Sequence, residues 1–265
     1  MNLATRWRML FGVLVLTTSF AIAQNGPEKK ADPEKKVTPE KKVDEKKADV
    51  EKKAEPEKKT TPEKKAAAFS VTIAGEVDAK LRPVAGQLVT EFYECYPRLV
   101  ERFENPKRPA PHDIKITFAH IRVPAYCTGP EIKVDIDWLH KHPDDIGMIT
   151  HELTHSVQGY RGGVPGWFVE GMADYTRLAF GPKEQPNWAL PRRFSDKQSY
   201  KDSYRVTGRF FQWLEAKHPG VLDKMHRKAQ DREFDLGDFR KLTGSTIDEL
   251  WAQCVKELRA EKKDS

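Results

Sequence analysis

No apolar run in this sequence is long enough to cross a bilayer as a helix. The longest, residues 9–23, has 15 residues and is interrupted by Thr17, Thr18 and Ser19, where about 20 are needed. Arg6 and Arg8 precede it, and Ala21-Ile22-Ala23 ends it in a small-x-small pattern. That is the layout of a cleaved export signal, with an uncleaved anchor as the less favoured reading. No cysteine stands at the expected cleavage point, which argues against a lipid anchor. Cysteine is scarce altogether: Cys95, Cys127 and Cys254 match no zinc knuckle or CxxC pair. An oxidising compartment permits one disulfide and leaves one thiol over. Three buried thiols are equally compatible, and the spacing selects no pair.

Aromatic residues are missing from residues 25–67, where Val37, Val43 and Val50 are the only branched apolar side chains. Such a segment cannot bury enough surface to offset its ordering entropy. Glu-Lys-Lys recurs seven times there, preceded by proline five times. Proline at that frequency blocks a continuous helix, so residues 24–68 read as a disordered, extended stalk. The stalk is a solvated linker or a tether to an anionic envelope surface. It also explains the basic pI of 9.0. Of the net +6, +3 lies in residues 25–67 and +2 at Arg6 and Arg8, which leaves +1 for the remainder. A nucleic-acid partner is therefore not expected, because the excess charge lies mainly outside the fold.

The division follows: an export signal over 1–23, the stalk over 24–68, a folded domain over 69–261 and a tail over 262–265. Residues 70–73 look like a first strand. Val84, Leu88, Phe92, Tyr96, Leu99 and Phe103 recur at helical spacing and mark a long amphipathic helix. Residues 113–118 and 131–136 alternate as strands do. From Pro143 onward the pattern is helical almost to the end. Strands first and helices later argue an α+β fold with a small sheet.

Pro143-Asp144-Asp145 reads as a helix start, since proline and acidic residues favour the first turn. Ile146, Ile149, Leu153 and Val157 then mark a buried face, with His151 and His155 stacked beside it at i, i+4. Two imidazoles at that spacing can reach one zinc ion, with Glu152 between them as general base for a water. The plain alternative is a pair of surface or capping histidines. A third ligand is required. The metzincin continuation fails, because Gln158 and Arg161 stand where glycine and histidine would be needed.

After the break at Gly162-Gly163-Val164-Pro165-Gly166, a second helix opens at Trp167. It carries Glu170 and Asp174 on one face. Glu170 can ligate the metal, and Asp174 can orient a ligand imidazole. An ordinary solvated acidic face is the alternative. Gly171 and Ala173 are small enough to let the two helices approach closely. Trp167, Phe168, Phe210, Phe211 and Trp213 are read as core.

The run His151-Glu152-Leu153-Thr154-His155, continued by Gln158, Pro165-Gly166 and residues 170–178, resembles the basic secretory protein family. These are plant and bacterial proteins classed as zinc peptidases. The likeness resumes in residues 204–215 and covers roughly 69–261, but not the stalk. Gly208 stands where the family's block would carry alanine. The resemblance implies a zincin-like fold: a small twisted sheet, an active-site helix and a C-terminal helical part. It also implies His151, His155 and Glu170 as zinc ligands, Glu152 as base and Asp174 behind the ligands. Tyr204, opening a helix in the second block, is a candidate to stabilise an oxyanion. Tyr200 is the runner-up, and packing is the alternative for both. The expected function is a secreted or periplasmic zinc metallopeptidase acting on peptide or protein substrates, with no stable membrane insertion after signal cleavage. A non-catalytic binding module on the same scaffold is the rival.

Overall fold

A computed structural model describes residues 69–260. The expected export signal and stalk, Glu261 and the 262–265 tail lie outside the described residues. Among those described, no helix is long and apolar enough to cross a membrane.

The chain enters through strand β1 (Ser70–Gly75) and passes into helix α1 (Arg82–Phe103). It returns through β2 (Asp113–Ala119), which pairs parallel to β1. Parallel neighbours need a crossover, and α1 supplies it. The six apolar residues recognised at helical spacing are all buried on α1, which runs on through Pro97. Strands β3 (Ala125–Thr128) and β4 (Glu131–Asp135) form an antiparallel hairpin closed by Gly129-Pro130. Gly129 has φ +62, a value that favours glycine at the first turn position of a two-residue hairpin. β4 lies parallel beside β2, giving the order β1-β2-β4-β3 with β3 at an edge.

Ile136 leaves the sheet and opens helix α2 (Ile136–Lys141), because the Asp135 carboxylate accepts the Trp138 N–H as an N-cap. The expected helix start at Pro143 is not found. Residues 143–147 form turns, and helix α3 spans Met148–Gln158. The acidic residue that suggested a first turn is engaged elsewhere: Asp145 accepts hydrogen bonds from Trp138 Nε1 and Arg177 Nη2. Gly147 then admits the chain into the helix. A Cβ there would lie 2.2 Å from Gln185 Oε1.

α3 is buried on nearly every side, packed between α1, β3 and helix α4 (Gly166–Phe180). It ends at Gly159 in the left-handed region, and the loop at Gly162 and Gly163, also at positive φ, turns the chain into α4. The close approach allowed by Gly171 is not to α3. Its Cβ would meet Thr207 Cγ2 at 2.3 Å, so the small face receives helix α5 (Tyr204–Lys217). Glu170, one residue earlier and a quarter-turn away around the helix, is left to face α3. Helices α6 (Val221–Gln230), α7 (Gly237–Thr243) and α8 (Ile247–Ala260) complete the C-terminal part. Eight helices and a four-stranded mixed sheet among the described residues make an α+β fold, consistent with a zincin-like arrangement. Trp167, Phe168, Phe210, Phe211 and Trp213 all lie in the core, as expected. Cys95 is a buried free thiol on α1, and Cys127 is a free thiol on β3. Cys254 is buried on α8.

Candidate metal centre

Three elements converge on one point. α3 contributes His151, Glu152 and His155; α4 contributes Glu170 and Asp174; the first residue of α5 is Tyr204. One ligand atom from each of His151, His155 and Glu170 lies within 4.8 Å of the other two. Glu170 Oε2 is 3.2 Å from His151 Nε2 and 3.6 Å from His155 Nε2. Donors held at about 2.1 Å around a tetrahedral ion stand about 3.4 Å apart, so these separations fit a shared metal. The three side chains are only 11, 18 and 27 % exposed.

The opposite edge of each imidazole is fixed. Asp174 Oδ1 lies 2.7 Å from His151 Nδ1. Gln158 Oε1 lies 2.8 Å from His155 Nδ1, while its amide group donates to the Val169 carbonyl of α4 at 2.9 Å. That second bond orients the amide, so Oε1 must be the atom facing the ring. Both Nδ1 atoms are then donors, and both Nε2 atoms are turned to the common point. The Asp174 role is legible in the sequence, whereas the motif that contains Gln158 assigns it no contact. The available signal was its i, i+3 position after His155 on the same helix. Arg177 also belongs to the site. It lines the cleft, pairs with Asp145 at 2.6 Å, and stands over the Trp188 ring at 4.3 Å.

The electrostatics favour a cation here. Burial opposes charge on His151, yet hydrogen bonds to Asp174 and Glu170 raise its pKa to about 10. A field that holds a proton so firmly also favours a metal ion at the same nitrogen. Burial works against the Glu170 carboxylate too, but the two histidines hold its pKa down to about 2. Glu152 is buried beside them, and burial raises its pKa above the ordinary carboxylate value.

Tyr204 stands over the centre, its ring centroid 6.2 Å from that of His151 and the planes 14° apart. It is 55 % exposed at the mouth of the cleft. Ser203 and Tyr204 have φ of +65° and +47°, conformations that cost side-chain-bearing residues energy and gather at functional sites. The negative charge of Glu170, then burial, raises the phenol pKa and keeps it a hydrogen-bond donor. Tyr200 is excluded from this position: it is buried, and its hydroxyl donates to Asp248 at 2.9 Å. Gly208 matters for the same reason as Gly171. A Cβ there would sit 3.1 Å from Asp174 Cβ, so the bare backbone lets α5 close over the carboxylate that orients His151.

The centre opens into a cleft of about 1370 Å³, with Tyr126, Trp138, Tyr160 and Val164 among its walls. Cys127 also borders it, near Ser156 Oγ at 3.2 Å. Burial raises its pKa to about 11, and its sulfur is not among the ligand atoms that gather at the centre.

No curated protein and no solved structure matches the chain. A family model described as a peptidase of plants and bacteria matches residues 58–254, a span that contains every residue of the centre and the whole sheet. The chain belongs to this family, the basic secretory proteins.

Proposed function

We propose that the chain is an exported, zinc-dependent peptidase that hydrolyses peptide bonds at the centre formed by His151, His155 and Glu170. The observation that carries this reading is the convergence of two imidazole nitrogens and one carboxylate oxygen within 4.8 Å, beside a buried glutamate and at the base of an open cleft. Two histidines and a glutamate, with one position left for water or substrate, form a donor set typical of catalytic zinc. A bound zinc ion supplies a Lewis acid for the scissile carbonyl and lowers the pKa of water.

The protein's own groups do the rest. Glu152 takes a proton from the attacking water and passes it to the leaving amine. Its burial raises its pKa, which brings it closer to the value a proton carrier needs at neutral pH. Tyr204 donates a hydrogen bond from its phenolic hydroxyl to the oxyanion that develops on the substrate. Asp174 and Gln158 are positioning residues that hold the two imidazoles through Nδ1. Apolar and aromatic walls around the cleft exclude water from the side chains flanking the scissile bond.

The test is Glu152→Gln assayed on a mixed peptide library, with metal content measured on the same sample. Activity should fall about 10²–10⁴-fold while the metal is retained. Full activity with the metal in place would reject the mechanism.

A further inference from the structure

Trp188 is a wall shared by two depressions. On one side it borders the metal cleft beneath Arg177. On the other it borders a groove of about 670 Å³, within the roughly 300–1,000 Å³ usual for ligand sites. α5 joins the two as well: Arg205 lines the cleft and Arg209 the groove, and residues four apart share a helix face.

The charge in this groove is of one sign. Arg98, Lys183, Arg192 and Arg209 line it, and no aspartate or glutamate does. Among the described residues none of these four, nor Arg205, takes part in an ion pair. Arg98 is directed at the Phe180 carbonyl and ring, and Arg209 donates to Gln212. Outside the stalk and the signal the chain carries a net charge of only +1, so this concentration of cations is local rather than a general property of the fold. Clustered charges in a concave wall focus the field on what enters.

We propose that the groove is a substrate subsite that binds an acidic stretch of the peptide a few residues from the scissile bond. The proposal rests on the peptidase reading and names a substrate class for it. A peptide suits the groove better than a nucleic acid. The groove shares the Trp188 wall with the cleft, and Trp188 is its only aromatic lining residue, whereas single-stranded nucleic acids are held on several stacking rings.

The experiment compares two fluorogenic peptides that share one cleavable sequence. One carries four glutamates and the other four glutamines, with the tail placed on each side of the bond in turn. On one side the full chain should prefer the glutamate peptide about tenfold in kcat/KM at low salt, and the preference should shrink in about 0.5 M sodium chloride. Lys183 and Arg192 are exposed, so the double variant Lys183→Gln, Arg192→Gln leaves the packing intact. It should bring the ratio close to one, and a ratio cancels any general change in activity. A ratio near one on both sides in the unsubstituted chain, or one that survives the double substitution, overturns the proposal. Polarisation of a fluorescein-labelled tetraglutamate peptide, measured on Glu152→Gln, separates this from failure of the peptidase reading. Binding that the double substitution abolishes, where the unsubstituted chain cleaves neither peptide, keeps the acidic-peptide site and removes the peptidase. No binding removes the site. Displacement by an oligothymidylate of equal charge more readily than by unlabelled peptide overturns the peptide as occupant.

Discussion

Among the described residues, two groups of three ligand-bearing side chains gather within 4.8 Å: His151, His155 and Glu170, and His120, Asp135 and Asp137. Both combine imidazole and carboxylate donors at the same mutual reach, two histidines and a glutamate in the first, one histidine and two aspartates in the second. They differ in what the remaining polar atoms of each side chain are doing. At the first centre both Nδ1 atoms are held, by Asp174 and Gln158, and both Nε2 atoms face Glu170 Oε2 beside the cleft. At the second, both oxygens of Asp135 accept backbone N–H groups, from Ile121 and Trp138, so the carboxylate serves as a helix cap. His120 and Asp137 are 70 and 62 % exposed and meet only each other, at 3.2 Å. Exposed pairs of this kind contribute little. The candidate metal centre thus differs from the second group in the bracing of its side chains, not in their number.

The comparison can be broken by experiment. The largest effect is expected from His155→Ala, which removes a donor while leaving a mostly buried site. Zinc should be lost on dialysis and peptidase activity should fall to background, as measured by elemental analysis and peptide hydrolysis on one sample. Tyr204→Phe removes the hydroxyl alone. It should lower kcat about 10²–10³-fold, with zinc content unchanged and KM little altered.

A third histidine sharpens the contrast. His226 is buried like His151, but no carboxylate is bonded to it. Its Nε2 faces the Phe103 carbonyl at 2.9 Å, and its Nδ1 accepts from the Tyr160 hydroxyl at 2.7 Å. Burial, first, lowers its pKa from 6.5 to about 4. The folded chain therefore binds fewer protons than the unfolded chain between these values. The stabilisation is complete above pH 6.5 and is lost as pH falls toward 4, amounting to about 3 kcal/mol. Urea unfolding at pH 7 and pH 4 should show that loss, and His226→Gln should flatten it. An equal loss in the variant would assign the acid sensitivity to other groups.

Smaller effects follow. Asp174→Asn keeps the shape but weakens the brace on His151, and should reduce zinc affinity about 10–100-fold in a chelator competition. Asp137→Asn at the exposed group should change neither zinc content nor activity. A loss of zinc there would erase the distinction between bracing and counting.

The chemistry of the centre was legible because it is local. His151, Glu152 and His155 lie within one helical turn and a half, and Glu170 and Asp174 follow across a short loop. The α1 stripe was legible for the same reason. What escaped depends on contacts between distant segments. The start of α3 moved to Met148 because Trp138 and Arg177 recruit Asp145. The partner of Gly171 is Thr207, 36 positions away, and no periodicity announces that. β3 has four residues between Pro124 and Gly129, too few for an alternation to register. The left-handed backbone at Ser203 and Tyr204 is likewise imposed by the packing around it, since neither residue favours it.

The most direct test of the central claim is zinc K-edge X-ray absorption on the full chain loaded with one equivalent of zinc. The account predicts nitrogen and oxygen neighbours at about 2.0–2.2 Å, with outer-shell scattering from two imidazoles. A sulfur neighbour at about 2.3 Å, or a spectrum without histidine scattering, would contradict it.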